Sequence, residues 1–174
     1  GVLELMLRIG VQPDVVTYSS VISVCTAAGQ WERAVATYEQ MHIAGIEPDA
    51  IAINHIVRAY TSGGQWELAL RAVKTSQPPN VIVYNAYLSA CAQAGKIDDA
   101  NALFQEMTTE LNLTPDDVSY NALISACCDG GNWEQAVDTF EEMQAAGVTP
   151  NIYTYSTLMT TCAKAKQWEE AVLE

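Results

Sequence analysis

Basic residues are scarce. Lys and Arg number 8 against 21 Asp and Glu, a formal net charge of −13 over 174 residues. That balance argues against a nonspecific basic patch for nucleic acid or for an anionic membrane surface. Long apolar runs are missing too. None approaches the ~20 residues that a membrane-spanning helix needs, so no membrane partner is expected. The cysteines are Cys25, Cys91, Cys127, Cys128 and Cys162. An odd count without a CxxC motif argues against a disulfide frame or a zinc site and fits a reducing compartment. The two histidines, His42 and His55, stand apart from any Ser, Cys or carboxylate constellation. No catalytic site, metal or cofactor is therefore expected in this chain. Disorder is not expected either, because 49% of the residues are apolar and only 17% are charged. The chain opens on "GVLELMLRIG", without an initiator Met or a signal-peptide layout, and closes on "WEEAVLE" in mid-pattern. Both ends read as cut from a longer protein.

Repetition is what the chain has in place of these features. Glycines fall at Gly29, Gly64, Gly95 and Gly131, with Lys166 in the last copy. A large side chain follows at Trp31, Trp66, Ile97, Trp133 and Trp168, and a small one at Ala34, Ala69, Ala100, Ala136 and Ala171. Upstream come Tyr18, Ile53, Tyr84, Tyr120 and Tyr155, and before them Pro13, Pro48, Pro79, Pro115 and Pro150. Every series steps by 35, 31, 36 and 35 residues. Periods of this size mean stacked arrays of one supersecondary unit.

Each unit reads as two helices. In "VVTYSSVISVCTAA" the spacing predicts a buried face at Val21, Val24, Cys25 and Ala28. Gly29 supplies the left-handed residue that ends the first helix. A second helix begins near Trp31 and buries Ala34, Tyr38 and Met41, with Glu32, Glu39 and Gln40 in water. One hairpin cannot bury its apolar face alone, whereas a stack of hairpins can. The units run 15–49, 50–80 (short), 81–116 and 117–151. Residues 1–14 read as the second helix of a preceding unit and 152–174 as a truncated one.

These words resemble the pentatricopeptide repeat family. The resemblance rests on "VVTYSSVI", "VIVYNAYLSACAQAGKIDDANALFQEM", "DVSYNALISACCDGGNWEQAVDTFEEMQAAGVTPN" and "IYTYSTLM". It implies an all-α fold, a right-handed α-solenoid of stacked two-helix repeats. It also implies single-stranded RNA binding at one base per repeat, in organellar RNA processing, stability or translation in a chloroplast or mitochondrion. The fifth and last residues of a repeat would carry the choice of base. Here they pair as Ser19 with Asp49, Asn54 with Asn80, Asn85 with Asp116, and Asn121 with Asn151, while Ser156 has no partner. The second residues, Val16, Ile51, Ile82, Val118 and Tyr153, would wedge between bases. The family's pairings imply 5′-G-(C/U)-U-(C/U)-3′.

Bland readings stand beside these. Ser and Asn near a helix start, and Asp or Asn after Pro, are also good capping and turn residues. The recurring tyrosines suit base stacking or packing, and their spacing favours packing. Cys25, Cys91, Cys127 and Cys162 share the eleventh place of a unit, which marks small core hydrophobes. The thirteenth place, where many family members carry a phosphate-binding Lys, holds Ala27, Ser62, Gln93, Asp129 and Lys164. Only the last is basic, which implies a shallow salt dependence for any RNA binding. The acids gather on second helices and the first helices are nearly neutral. The acidic balance keeps a different class open, a protein-interaction scaffold using the groove or the termini. Self-association through uncapped ends is expected at high concentration, from Val2, Leu5, Met6 and Ile9 at one end and Leu158, Cys162, Trp168 and Val172 at the other.

Overall fold

The computed structural model of the chain describes residues 2–129 and 132–165. Within it the chain divides into two compact bodies, Gly1–Pro78 and Pro79–Glu174. The first body holds α1 (Val2–Arg8), α2 (Val15–Ala27), α3 (Trp31–Ile43), α4 (Ala50–Ser62) and α5 (Trp66–Lys74). The second holds α6 (Val81–Gln93), α7 (Ile97–Gln105) with a π-turn over Glu106–Glu110, α8 (Asp117–Asp129), α9 (Trp133–Ala145) and α10 (Ile152–Ala165). No strand occurs among the described residues, and none of their helices is long and apolar enough to cross a membrane.

Hairpins pair as α2 with α3, α4 with α5, α6 with α7 and α8 with α9. Within each body, first helices also pack on one another, α2 on α4, α6 on α8 and α8 on α10. Ala34, Ala69, Ala100 and Ala136 are fully buried, and without a bulky side chain they let the helix axes approach closely. Ile124, Cys127, Ala136 and Phe140 form one such contact layer, with Ile97 and Leu158 packed against it. Leu158 is thus partly buried against this layer. Cys162 and Lys164 lie on α10, and Trp168 and Val172 beyond it; their side chains fall outside the described residues. Among the end residues named above, Leu5 and Ile9 are exposed.

The α2 face differs from the sequence expectation. Its buried residues are Tyr18, Ser19, Ile22 and Cys25, while Val24 is 68% exposed and Ala28 lies in water. The helix is apolar nearly all round, so hydrophobic spacing alone does not define its phase. In α3, Ala34 and Met41 are buried as expected, but Thr37 takes the place given to Tyr38, which is only half-buried. The Thr37 hydroxyl donates to the Arg33 carbonyl at 2.8 Å, so its burial leaves no proton unmet.

The extra residue of the stretch 81–116 is taken up by the π-turn. After Met41 and Met143 the chain closes with Gly45 (φ 71°) and Gly147 (φ 75°), and the next N–H returns to the Met carbonyl at 3.1 Å. After Met107 the corresponding left-handed residue is Asn112 (φ 53°), one place later, and Leu113 N–H still reaches the Met107 carbonyl at 3.0 Å. The wider turn absorbs the insertion and restores the exit direction.

Trp31 opens α3 and lies across the end of α4. A Cβ on Gly63 would meet the Trp31 ring at 2.5 Å. Gly63 has a negative φ, so the demand for glycine there is steric. Gly63→Ala is expected to lower unfolding stability by about 1–3 kcal/mol, the usual cost of overpacking. In a Trp31→Ala background the same substitution should be nearly neutral. Urea titration of the double-mutant cycle checks this.

Candidate functional site

The N-terminus of every first helix is capped by the last residue of the stretch before it. Asp14 accepts from Thr17 N–H at 2.8 Å, Asp49 from Ala52 N–H at 2.7 Å, and Asn80 from Ile82 N–H at 2.8 Å. Asp116 accepts from Ser119 N–H at 2.9 Å and Asn151 from Thr154 N–H at 3.1 Å. The sequence explains this directly, because a Pro-Asp or Pro-Asn step holds the chain extended just before the helix.

Three of these caps also reach a fifth-place residue or its contact. Ser19 Oγ lies 3.3 Å from Asp49 Oδ1 and donates at 2.7 Å to the Val15 carbonyl. Asn85 Nδ2 donates to Asp116 Oδ1 at 2.9 Å. Asn121 and Asn151 meet through a third residue. The Thr154 hydroxyl donates to Asn121 Oδ1 at 2.6 Å and lies 3.2 Å from Asn151 Oδ1. Asn151 Nδ2 instead donates to the Asp117 carboxylate at 2.9 Å. Asn54 is half-buried on α4 of the first body and Asn80 caps α6 of the second. Ser156 is exposed on α10.

Ser19, Asn85 and Asn121 are almost wholly buried, yet one helical turn before each stands an exposed apolar side chain. Val16, Ile51, Ile82, Val118 and Tyr153 are between 47% and 64% exposed. Exposed apolar groups recurring at one register are what a surface for stacking flat rings requires. The tyrosines do not offer this. Tyr18, Tyr84 and Tyr120 are buried, and Tyr120 meets Phe104 edge-on with ring centroids 5.2 Å apart. Tyr155 is half in water and meets Phe140 at 5.7 Å.

Charge follows the same division. Glu32, Glu39, Glu67, Asp138, Glu141 and Glu142 are exposed on second helices. Neither α2 nor α6 has a charged residue, and α4 carries only Arg58, exposed and seven residues after Ile51 on one face. The side chains of Asp129 and Lys164 fall outside the described residues, whereas Ala27, Ser62 and Gln93 are exposed. Burial and the Arg58 charge hold His55 below its ordinary value of 6.5, so it is neutral at neutral pH. Cys25, Cys91 and Cys127 are buried, and burial pushes the Cys91 thiol up to about 12, which leaves it inert.

Ser119 and Thr154 were not singled out from sequence. Each sits three residues after its cap, and the cap N–H donates back to its hydroxyl at 3.2 Å and 3.1 Å. The D-x-x-S and N-x-x-T spacing, a variant of the capping box, was the available signal. Nothing in the spacing says that Ser119 Oγ also donates to Asn85 Oδ1 at 2.6 Å.

The PPR repeat family matches the chain over residues 13–60, 79–129 and 115–164. Among solved structures, the pentatricopeptide repeat protein PPR10 in complex with an 18-nt psaJ RNA element is similar with a TM-score of 0.81. It is 24% identical over 97% of this chain and 25% of that one. PPR10 from maize is similar with a TM-score of 0.76 and 26% identity, over 98% of this chain and 25% of that one. The PPR domain of Arabidopsis thaliana protein-only RNase P 1, in complex with tRNA, has a TM-score of 0.71 and 18% identity, over 96% and 86% of the two chains. The chain thus spans a quarter of the length of the PPR10 chains it matches. No curated protein matches it. The structural likeness shows the fold class, an α-solenoid of stacked two-helix repeats.

Burial raises the pKa of Asp116, but the hydrogen bonds from Ser119 N–H and the Asn85 amide outweigh it and hold the carboxyl below 3.8. A depressed carboxylate adds stability above the unfolded value and loses it as pH falls through the folded one. Asp14, whose hydrogen bonds from Thr17 also lower it, acts in the same direction. Unfolding midpoints should therefore fall on acidification below about pH 4. Asp116→Asn should flatten part of that limb, and urea titrations across the acid range check it.

Proposed function

The chain belongs to the PPR repeat family, and on that premise we propose that it binds single-stranded RNA, one base per repeat. The observation that carries this reading is the pairing in register of exposed second-place apolar side chains with the buried, hydrogen-bonded fifth-place residues Ser19, Asn85 and Asn121. The first would stack on bases and the second would meet their edges. Ser19 with Asp49 would read G, Asn54 with Asn80 and Asn121 with Asn151 pyrimidines, and Asn85 with Asp116 U. The target is then 5′-G-(C/U)-U-(C/U)-3′, with the repeats 15–49, 50–80, 81–116 and 117–151 as reading frames. The protein would act in RNA processing, stability or translation in a chloroplast or mitochondrion, as a binder without catalysis of its own.

The chemistry supports the U assignment. Asp116 accepts only, and uracil offers an N3–H donor where cytosine has an N3 acceptor. An Asn at the last place can donate to that cytosine nitrogen. Base stacking on an aromatic side chain is worth ~1–3 kcal/mol, and the aliphatic Val16, Ile51, Ile82 and Val118 offer no more than that per base, so binding by this segment is weak. The scarcity of cations on the first helices points the same way.

The test is Asp116→Asn, measured by titration with short oligonucleotides that vary at one base. Asn caps a helix about as well as Asp, so the fold is kept. The expected result is a move from U toward C at the Asn85 position, with neighbouring bases unaffected. An unchanged profile in a folded variant would make Asn85 and Asp116 caps only, and would favour the protein-interaction scaffold.

A further inference from the structure

We propose that Ser119 and Thr154 are positioning residues that fix which end of the Asn85 and Asn121 amides meets the base, an inference that rests on the RNA reading above. An asparagine amide is an acceptor at one end and a donor at the other. A half-turn of the side chain exchanges the two and inverts the base edge it fits. A reader asparagine therefore discriminates more sharply with its amide held one way round; the corresponding place for Asn54 is Val83, which has no hydroxyl to hold it.

The hydroxyls provide that hold. Ser119 Oγ receives the Asp116 N–H at 3.2 Å; it lies 2.6 Å from Asn85 Oδ1 and 3.0 Å from Asp116 Oδ1, and its one proton goes to the nearer oxygen, that of Asn85. Thr154 Oγ1 receives the Asn151 N–H at 3.1 Å and gives its proton to Asn121 Oδ1 at 2.6 Å. Both Ser119 and Thr154 are fully buried, so water does not compete for these bonds. With their oxygens tied back, both amides act as N–H donors. Asn85 gives one N–H to Asp116 and keeps the other for a base.

Two contrasts support the assignment. Thr17 has the same place in α2, and its hydroxyl donates to its own cap, Asp14, at 2.6 Å, whereas Ser119 and Thr154 lie farther from their cap oxygens, at 3.0 Å and 3.2 Å, than from the asparagine oxygens. In the next first helix that place is Ala52, where the fifth-place residue it follows is Ser19. A serine hydroxyl rotates to suit its partner and needs no such restraint. At Asn121 the restraint matters most, because Asn151 has turned its own amide to Asp117.

The test measures base discrimination position by position with single-base oligonucleotide variants, alongside thermal unfolding. Ser119→Ala should reduce the preference at the Asn85 base by roughly three- to tenfold, the weight of one hydrogen bond. Preferences at the other bases should stay as they were. Ser119→Thr, which keeps the hydroxyl, should restore the discrimination. Thr154→Val should have the same local effect at the Asn121 base, and keeps the test available if Ser119→Ala does not fold. A loss of stability or of affinity for all RNAs alike, with base ratios intact, would overturn the proposal and leave RNA reading standing. Absence of any RNA binding by the unmodified chain would overturn both.

Discussion

A helix begins with backbone N–H groups that nothing inside it can satisfy. In this chain Asp14, Asp49, Asn80, Asp116 and Asn151 meet that need for α2, α4, α6, α8 and α10. Loss of such a cap costs about 1 kcal/mol, a large share of the margin that keeps a small domain folded. The same side chains or their contacts reach Ser19, Asn85 and Asn121 on the preceding first helix. One interaction thus sets the start of a helix, ties it to its neighbour, and places a polar pair at a fixed height. Fold and site are coupled because they share atoms.

That coupling explains why capping and base reading need not be rivals. Asp116 Oδ1 serves the helix and Asn85 at once. A carboxylate has about four acceptor sites, so a bond to Ser119 N–H and one to Asn85 leave capacity for a base. Replacing Asp with Asn keeps the cap and changes only what the free edge can donate. Under the proposed RNA reading, the repeats would vary in specificity without varying in fold, provided the last residue stays a good N-cap. The acids, meanwhile, stand on the second helices, and the first helices remain nearly free of charge.

Much of this was legible in the sequence, for physical reasons. The glycines, tryptophans and prolines mark places where backbone geometry or close packing admits few residue types, so their period survives. The second-place residues were legible because Val16, Ile51, Ile82, Val118 and Tyr153 recur in phase. The buried face of α2 was not. Apolar residues surround that helix, and only its packing against both α3 and α4 separates buried Ile22 from exposed Val24. The π-turn was hidden because a one-residue surplus does not say where it will be absorbed. The Ser119 and Thr154 bonds were hidden for another reason. They join residues 33 and 34 apart, and a capping pattern accounts for those hydroxyls locally without calling on Asn85 or Asn121.

The central claim is that hydrogen-bonded pairs at the heads of first helices read bases. Selection of bound molecules from a random single-stranded RNA pool tests it most directly. The account predicts enrichment of a short motif, G followed by three pyrimidines with U fixed at the third place. Recovery of an unenriched pool, by a chain that remains folded, would contradict it.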